Sequence, residues 1–546
     1  TWLNPYTQLE LGSGGTSGSL SSSSQIYMHY GTNLISNRSD DVTIGNQLIN
    51  WASNGPAWND SKAGNDFIQN GTGTVTLSNN SNNFYGYLRA NSGGITITGS
   101  AGNSSNYVAN NGQAIVFNTA NATSASQQID NISGTGTFRV TGAGTLTLGD
   151  SRNGTFTGAT TIDSGATLQL NSGKLGGDIT NNGTLYFYNP SSVNYAGVIS
   201  GSGNVKQNYG SLYLSGANTY TGTTSIGPNN GSNFYLGYGG TTGSLASESN
   251  ISIGSGSNLY FNRTNAMTVA NTISGAGSVS LLQKSGTEYN TAKGAIVTLT
   301  GNNTYTGSTY LNPYSQLQLG SGGTSGSLSS SSTIYMHYGT NLISNRSDNV
   351  TIGNYLVNWN NQSHGVSWGD GGRSNDFLQN GTGTVTLSNT SNNFYGYLKA
   401  NTAGITITGS AGNSGNYVVN SGQAVTFNPT SATSTSQQIN NISGTGTFNL
   451  TGTGTLTLGD SRNGTFTGTT TIDSGATLQL DYGKLDGNIT NNGTLYFYNP
   501  QSINYAGVIS GSGNVQQNYG SLYLSGTNTY TGNTTIGANG GANFYL

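Results

Sequence analysis

The chain repeats itself at long range, and a fixed period of this kind commits it to an array in which each unit covers the apolar face of the next. Leu3-Asn4-Pro5-Tyr6 returns 308 residues on as Leu311-Asn312-Pro313-Tyr314, and Ile26-Tyr27-Met28-His29-Tyr30 returns as Ile334-Tyr335-Met336-His337-Tyr338. From Asn65-Asp66-Phe67, matched by Asn375-Asp376-Phe377, the offset is 310. The two extra residues fall between Trp51 and Trp58, whose counterparts are Trp359 and Trp368. Residues 1–308 are read as one large repeat and 309–546 as a second, incomplete copy. Thr1 aligns with Thr309 and Leu546 with Leu236, both inside continuing patterns, so these residues are expected to be a window on a longer array.

A shorter period lies inside the large one. Thr145-Leu146-Thr147-Leu148, Thr167-Leu168-Gln169-Leu170, Thr184-Leu185-Tyr186-Phe187-Tyr188 and Ser211-Leu212-Tyr213-Leu214 each alternate apolar with polar, and their starts are 22, 17 and 27 residues apart. Alternation describes a strand with one buried and one wet face. Turn signals such as Ser164-Gly165, Asn182-Gly183 and Asn189-Pro190 separate the runs, and no segment shows a capped helical period. A spacing of this size is about one solenoid coil. Each coil would lay its strands on its neighbours in parallel and turn its Leu, Ile, Val and Phe inward as a thin core.

Composition fits that scheme. Hydrophobic residues make up only 32% and charged residues 6%, while Gly counts 86 and Tyr 33. A chain this poor in apolar residues can still be stable as a solenoid, because the core grows with the number of coils. Low charge also follows, since stacked coils place equivalent residues about 4.8 Å apart, where like charges repel. Disordered chains share the low hydrophobicity but usually lack so many aromatic and β-branched residues. With 15 basic and 18 acidic residues scattered singly, no basic stripe exists to neutralise phosphates, so nucleic acid is not an expected partner. Zero cysteines exclude disulfides and cysteine-based metal or redox chemistry. No run of about 18 apolar residues could form a membrane-spanning helix. Thr1-Trp2-Leu3-Asn4-Pro5 lacks the basic and apolar regions of a signal peptide, so targeting elements are expected outside these residues.

One pattern carries a family resemblance. Leu-x-Leu followed by Gly-x-Asn-Thr-Tyr-Thr-Gly-x-Thr occurs from Leu212 to Ile226, from Leu299 to Leu311 and from Leu522 to Ile536, and a looser form with Asn153-Gly154-Thr155-Phe156-Thr157-Gly158 follows Leu148 and recurs after Leu458. It resembles the autotransporter-associated β-strand repeat of passenger domains in type V secretion. The resemblance implies an all-β, right-handed parallel β-helix, expected here as a single continuous rod, displayed on or released from a Gram-negative-type bacterium. The family's outer-membrane barrel is not part of these residues.

Several parallel β-helices act on polysaccharides, which makes an enzyme the first rival, and such sites need clustered carboxylates with basic residues nearby. Asp40-Asp41 becomes Asp348-Asn349 in the second copy, and Asp60 and Asp66 flank the divergent loop. Asp150-Ser151-Arg152, repeated as Asp460-Ser461-Arg462, reads as a turn or local ion pair. The glycine-rich run 12–18 is not followed by a helix or closed by Lys-Ser/Thr, so it reads as a flexible corner and not as a phosphate loop. His29, His337 and His364 are too scattered for a metal site. No catalytic residue, cofactor or metal is expected. Ice binding is set aside because coils of uneven length would break a regular threonine ladder.

The remaining chemistry is contact through aromatic side chains. Tyr27, His29 and Tyr30 alternate with Ile26 and Met28 and should point outward, where they can stack on sugars, anchor a protein, or simply pair between coils. Trp51, Trp58, Trp359 and Trp368 bracket loops 52–64 and 360–374, the region where the copies diverge most. These seven residues are the candidate surface contact. The sequence thus points to a structural or adhesive extracellular fibre that is not an enzyme, with itself and surface glycans or other cells as partners; the alternatives are a polysaccharide-active β-helix enzyme and a carbohydrate-binding adhesin.

Overall fold

The computed structural model describes residues 1–50, 65–83, 86–100, 106–121, 126–149, 156–171, 175–188, 192–227, 231–282, 294–358, 375–393, 396–410, 416–429, 436–459, 466–481, 485–498, 502–537 and 541–546. It forms two compact units, Thr1–Leu259 and Tyr260–Leu546. The division is one of packing, whereas the break at 308/309 is one of sequence repetition.

In the first unit, Thr137–Thr141 is followed by Thr145–Leu148 and then by a one-residue bridge at Phe156 before Ala159–Ile162 returns to the face where the coil began. Thr137 pairs in parallel with Ala159, Thr145 with Thr167, and Gly134 through Phe156 with Leu175, so these coils have three sides. Three sheets lie wholly within this unit, of three, six and eight strands, and among the described residues no strand in them pairs with its sequence neighbour. The second unit repeats the plan in two eight-stranded sheets, one of six and one of three. The fold is thus an all-β parallel solenoid, as the alternating runs predict.

Each alternating run turns its apolar residues inward. Leu146, Leu168, Leu185 and Val205 stand in one register row and are fully buried, as are Leu148 and, within 2% exposure, Leu170 and Phe187 in the row beside it. Burying a side chain of this kind is worth about 1.5–3 kcal/mol. Aromatic rings thicken the core where three rows meet: Tyr107 packs edge-on against Phe117 at 4.9 Å, Phe117 against Phe138 at 6.0 Å and Phe138 against Phe156 at 6.1 Å. In the second unit, Tyr417, Phe427, Phe448 and Phe466 repeat the stack.

Coil length varies without disturbing register. Thr167 pairs with Thr184, 17 residues on, while Asn33 pairs with Asp66, 33 residues on. The paired strands themselves are four residues long in both coils.

The Gly-x-Asn-Thr-Tyr-Thr-Gly motif proves to be an internal brace. Asn218, 2% exposed, accepts the Ile199 N–H at 3.0 Å on Oδ1 and donates through Nδ2 to the Gly216 and Ser244 carbonyls at 3.0 and 3.1 Å. Tyr220 is fully buried, its hydroxyl 2.6 Å from Thr224 Oγ1, which in turn lies 3.2 Å from Ser249 Oγ. Asn303, Tyr305, Thr309 and Ser332 form the same network in the second unit. The asparagine replaces a strand partner at a corner where the backbone would otherwise have none. Asn303→Ala therefore orphans the Ile273 N–H and takes one of two donors from each of the Gly301 and Ser327 carbonyls, which keep their backbone partners, and is expected to cost about 1–3 kcal/mol. Chemical unfolding, with amide exchange at Ile273 as the local readout, checks it.

Candidate surface contact site

The solenoid faces present outward residues in register rows, and the candidate aromatics belong to such rows. Ile26 and Met28 are fully buried, which turns Tyr27 and His29 away from the core. Trp2 and Tyr27 are register partners whose rings stack at 4.3 Å and 13°. Tyr30 meets Tyr6 edge-on at 5.2 Å and His29 at 4.4 Å. His29 Nδ1 accepts the Tyr30 N–H at 2.9 Å. In the second copy Tyr335 stacks on Tyr310 at 5.1 Å, and Tyr338 meets Tyr314 at 5.4 Å and His337 at 4.4 Å. His29 and Tyr30 are thus brought together, while Tyr27 joins Trp2. Trp51, Trp58, Trp359 and Trp368, with loops 52–64 and 360–374, lie outside the described residues.

Stacking decides what these rings can do. A ring whose face rests on its neighbour in the next coil cannot offer that face to a sugar, and contributes roughly 0.2–1 kcal/mol to coil pairing instead. Tyr213 on Tyr235 at 4.1 Å and Tyr523 on Tyr545 at 4.3 Å follow the same rule. Among the described residues the most exposed tyrosines are Tyr6, at a turn, at 68% and Tyr238, near the end of the strand Asn233–Gly240, at 60%, and the sequence reading missed both. Tyr6 could have been flagged by its place after Asn4-Pro5: it takes φ +61° in a tight turn closed by the Thr7 N–H on the Asn4 carbonyl, a position that favours glycine or asparagine. Tyr314 does the same at φ +62°.

The histidines are local. His337 Nδ1 accepts the Tyr338 N–H at 2.9 Å, and burial pushes its imidazole below the ordinary 6.5. The neutral form is favoured in the folded chain, so its contribution is complete above that ordinary value and is lost as pH falls through the folded one. An NMR titration is expected to place the His337 midpoint below that of the unfolded chain.

The acidic residues are held by the scaffold. Arg38 bonds Asp40 through two nitrogens at 2.9 and 2.7 Å, which holds the Asp40 carboxyl below the usual carboxylate range, and its third nitrogen reaches the Gly18 carbonyl at 3.1 Å. Arg346, Asp348 and Gly326 repeat the arrangement. The guanidinium thereby ties the end of the glycine-rich corner to the following coil. Asp41 Oδ1 accepts the Thr74 N–H at 2.7 Å, and Asn349 Oδ1 accepts the Thr384 N–H at 2.8 Å. Either side chain serves that bond, which explains the exchange between copies. Asp66 binds Arg89 at 3.0 Å, and its counterpart Asp376 binds Lys399 at 2.9 Å. Asp60, Asp150, Arg152, Asp460, Arg462 and His364 lie outside the described residues. Among the described residues no group of three or more His, Asp or Glu could hold a metal ion, and no helix is long and apolar enough to cross a membrane.

The constant register removes the objection that uneven coils would break a threonine row. Thr351, Thr386, Thr406 and Thr426 stand side by side, but Asn449 follows. In the first unit Val116 and Arg139 follow Thr96. The row is interrupted in both units, and ice binding gains no support from it.

The passenger-associated-transport-repeat model matches residues 138–170, 205–235, 294–312, 448–480 and 515–541. Three of these segments contain the Asn-Thr-Tyr-Thr-Gly brace, buried at Asn218 and Asn303 and partly exposed at Asn528, and the other two contain its looser Asn-Gly-Thr-Phe-Thr-Gly form. No curated protein and no solved structure matches the chain. With its Asn-Thr-Tyr-Thr-Gly residues bracing corners of a parallel β-solenoid, the chain carries the repeat that marks autotransporter passengers, which are secreted or cell-surface proteins.

Proposed function

We propose that the chain is a structural or adhesive segment of an extracellular fibre on a Gram-negative-type bacterium, and that it has no catalytic activity. The observation that carries the reading is the use made of its polar chemistry. Motif residues, ion pairs such as Asp66–Arg89 and aromatic rows join one coil to the next. Groups engaged in this way resist proteolysis and unfolding and leave few side chains for chemistry. Near-identical copies would multiply weak contacts with another surface through avidity. The partners are other copies of the fibre and neutral surface glycans, reached by Tyr6 at its turn and Tyr238 on its strand, the most exposed tyrosines among the described residues.

Electron microscopy of the native material tests the reading. Thin rods with an axial repeat matching the 308–310-residue period are expected. Compact particles that release sugars from a polysaccharide would overturn it in favour of the enzyme.

A further inference from the structure

The geometry points to an internal water site inside the coil that contains Gln69, built a second time around Gln379. Gln69 is fully buried on the inward side of the strand Asp66–Gln69. Its Nε2 donates to the Gly71 carbonyl at 3.0 Å and the Gly73 carbonyl at 2.5 Å. Two carbonyl acceptors fix which end of the amide is nitrogen, and so leave Oε1 facing inward. That Oε1 has no hydrogen-bond partner in the protein. Its register neighbour in the preceding coil is Ser36, 1% exposed, and the Ser36 hydroxyl has no partner either.

The second copy reproduces every element. Gln379 donates Nε2 to the Gly381 and Gly383 carbonyls. Ser344 is its register neighbour, and both Gln379 Oε1 and Ser344 Oγ lack partners. An orphaned buried polar atom costs about 1–3 kcal/mol, so two adjacent orphans in each of two copies call for a ligand. The chemistry selects it. One group is a hydroxyl able to donate and the other a carbonyl able only to accept, which a water satisfies by accepting from serine and donating to glutamine.

The surrounding row carries small side chains. Ser36, Gln69 and Ala90 stand in register, as do Ser344, Gln379 and Ala400, so the glutamine lies between two small side chains. The neighbouring inward row carries Leu34, Phe67 and Leu88 and is filled by hydrocarbon. The site also has a use in a repetitive chain. Near-identical coils invite mispairing, and a hydrated Ser–Gln pair is satisfied only in its own register.

A crystal structure of the whole chain, at a resolution that orders internal waters, tests the assignment. The expected result is a density peak within hydrogen-bond distance of both Ser36 Oγ and Gln69 Oε1, and another at Ser344 and Gln379. Ser36→Ala is expected to weaken the first peak and leave the second unchanged. A direct Ser–Gln bond, no peak at either place, a peak with contacts too short and too numerous for water, or a peak indifferent to Ser36→Ala would each overturn it. None of these outcomes depends on whether the protein is a fibre.

Discussion

Gly134→Ala will prevent the coil that ends at Gly134 from closing on the one before it, at a cost of about 4 kcal/mol or more, in the range reserved for steric conflicts that a fold cannot relax. Two effects add at this position. The backbone takes φ +103°, where a side chain is strained, a penalty of about 1–3 kcal/mol. A Cβ would also stand 2.1 Å from the Ala109 carbonyl oxygen of the preceding coil. That oxygen cannot move aside, because it accepts the N–H groups of both Thr135 and Gly136, at 3.1 and 3.0 Å. Gly165→Ala separates the two effects. Its φ is +84°, but nothing lies within 4 Å of the added carbon, so only the strain remains, about 1–3 kcal/mol. Limited proteolysis and chemical unfolding of the two variants provide the comparison. Equal losses would show that conformation, and not the approach of the coils, makes glycine necessary at 134.

The strands and their inward residues were legible in the sequence because they depend on local alternation. Thr145-Leu146-Thr147-Leu148 shows its buried face without reference to any other segment. The three-sided coil was not legible, since its third side at Phe156 and Leu175 is a chain of single-residue bridges and carries no periodic signal. The brace at Asn218 and Tyr220 was visible as a motif but not as a buried one. Alternation assigns polar residues to solvent, and nothing local shows that the Ile199 N–H needs a partner. The pairing of Asp41 with Thr74 spans 33 residues and was likewise hidden, although the exchange to Asn349 hinted that charge was not essential there. The candidate site divides in the same way. The outward direction of Tyr27 followed from Ile26 and Met28, but the stacking of Trp2 on its face required the register of the neighbouring coil.

The aromatic stack offers the other large effect. Phe138 is fully buried, with Phe117 on one side at 6.0 Å and Phe156 on the other at 6.1 Å. Phe138→Ala removes the ring that joins Phe117 of the preceding coil to Phe156 of its own, and the expected loss is about 3–5 kcal/mol. Phe138→Leu keeps most of the volume and is expected to cost about 1.5 kcal/mol or less. In a solenoid each coil contacts mainly its neighbours, so the loss should stay near the substitution and not spread along the chain. Hydrogen exchange is the measurement that reads this. Protection should fall in the strands Ala114–Asn118, Thr137–Thr141 and Ala159–Ile162, and be retained in Val42–Ile44, which lies in the same eight-stranded sheet but several coils away. Uniform loss along that sheet would mean that the unit unfolds as one cooperative block, and the stack would then govern far more of the molecule than the coils it touches.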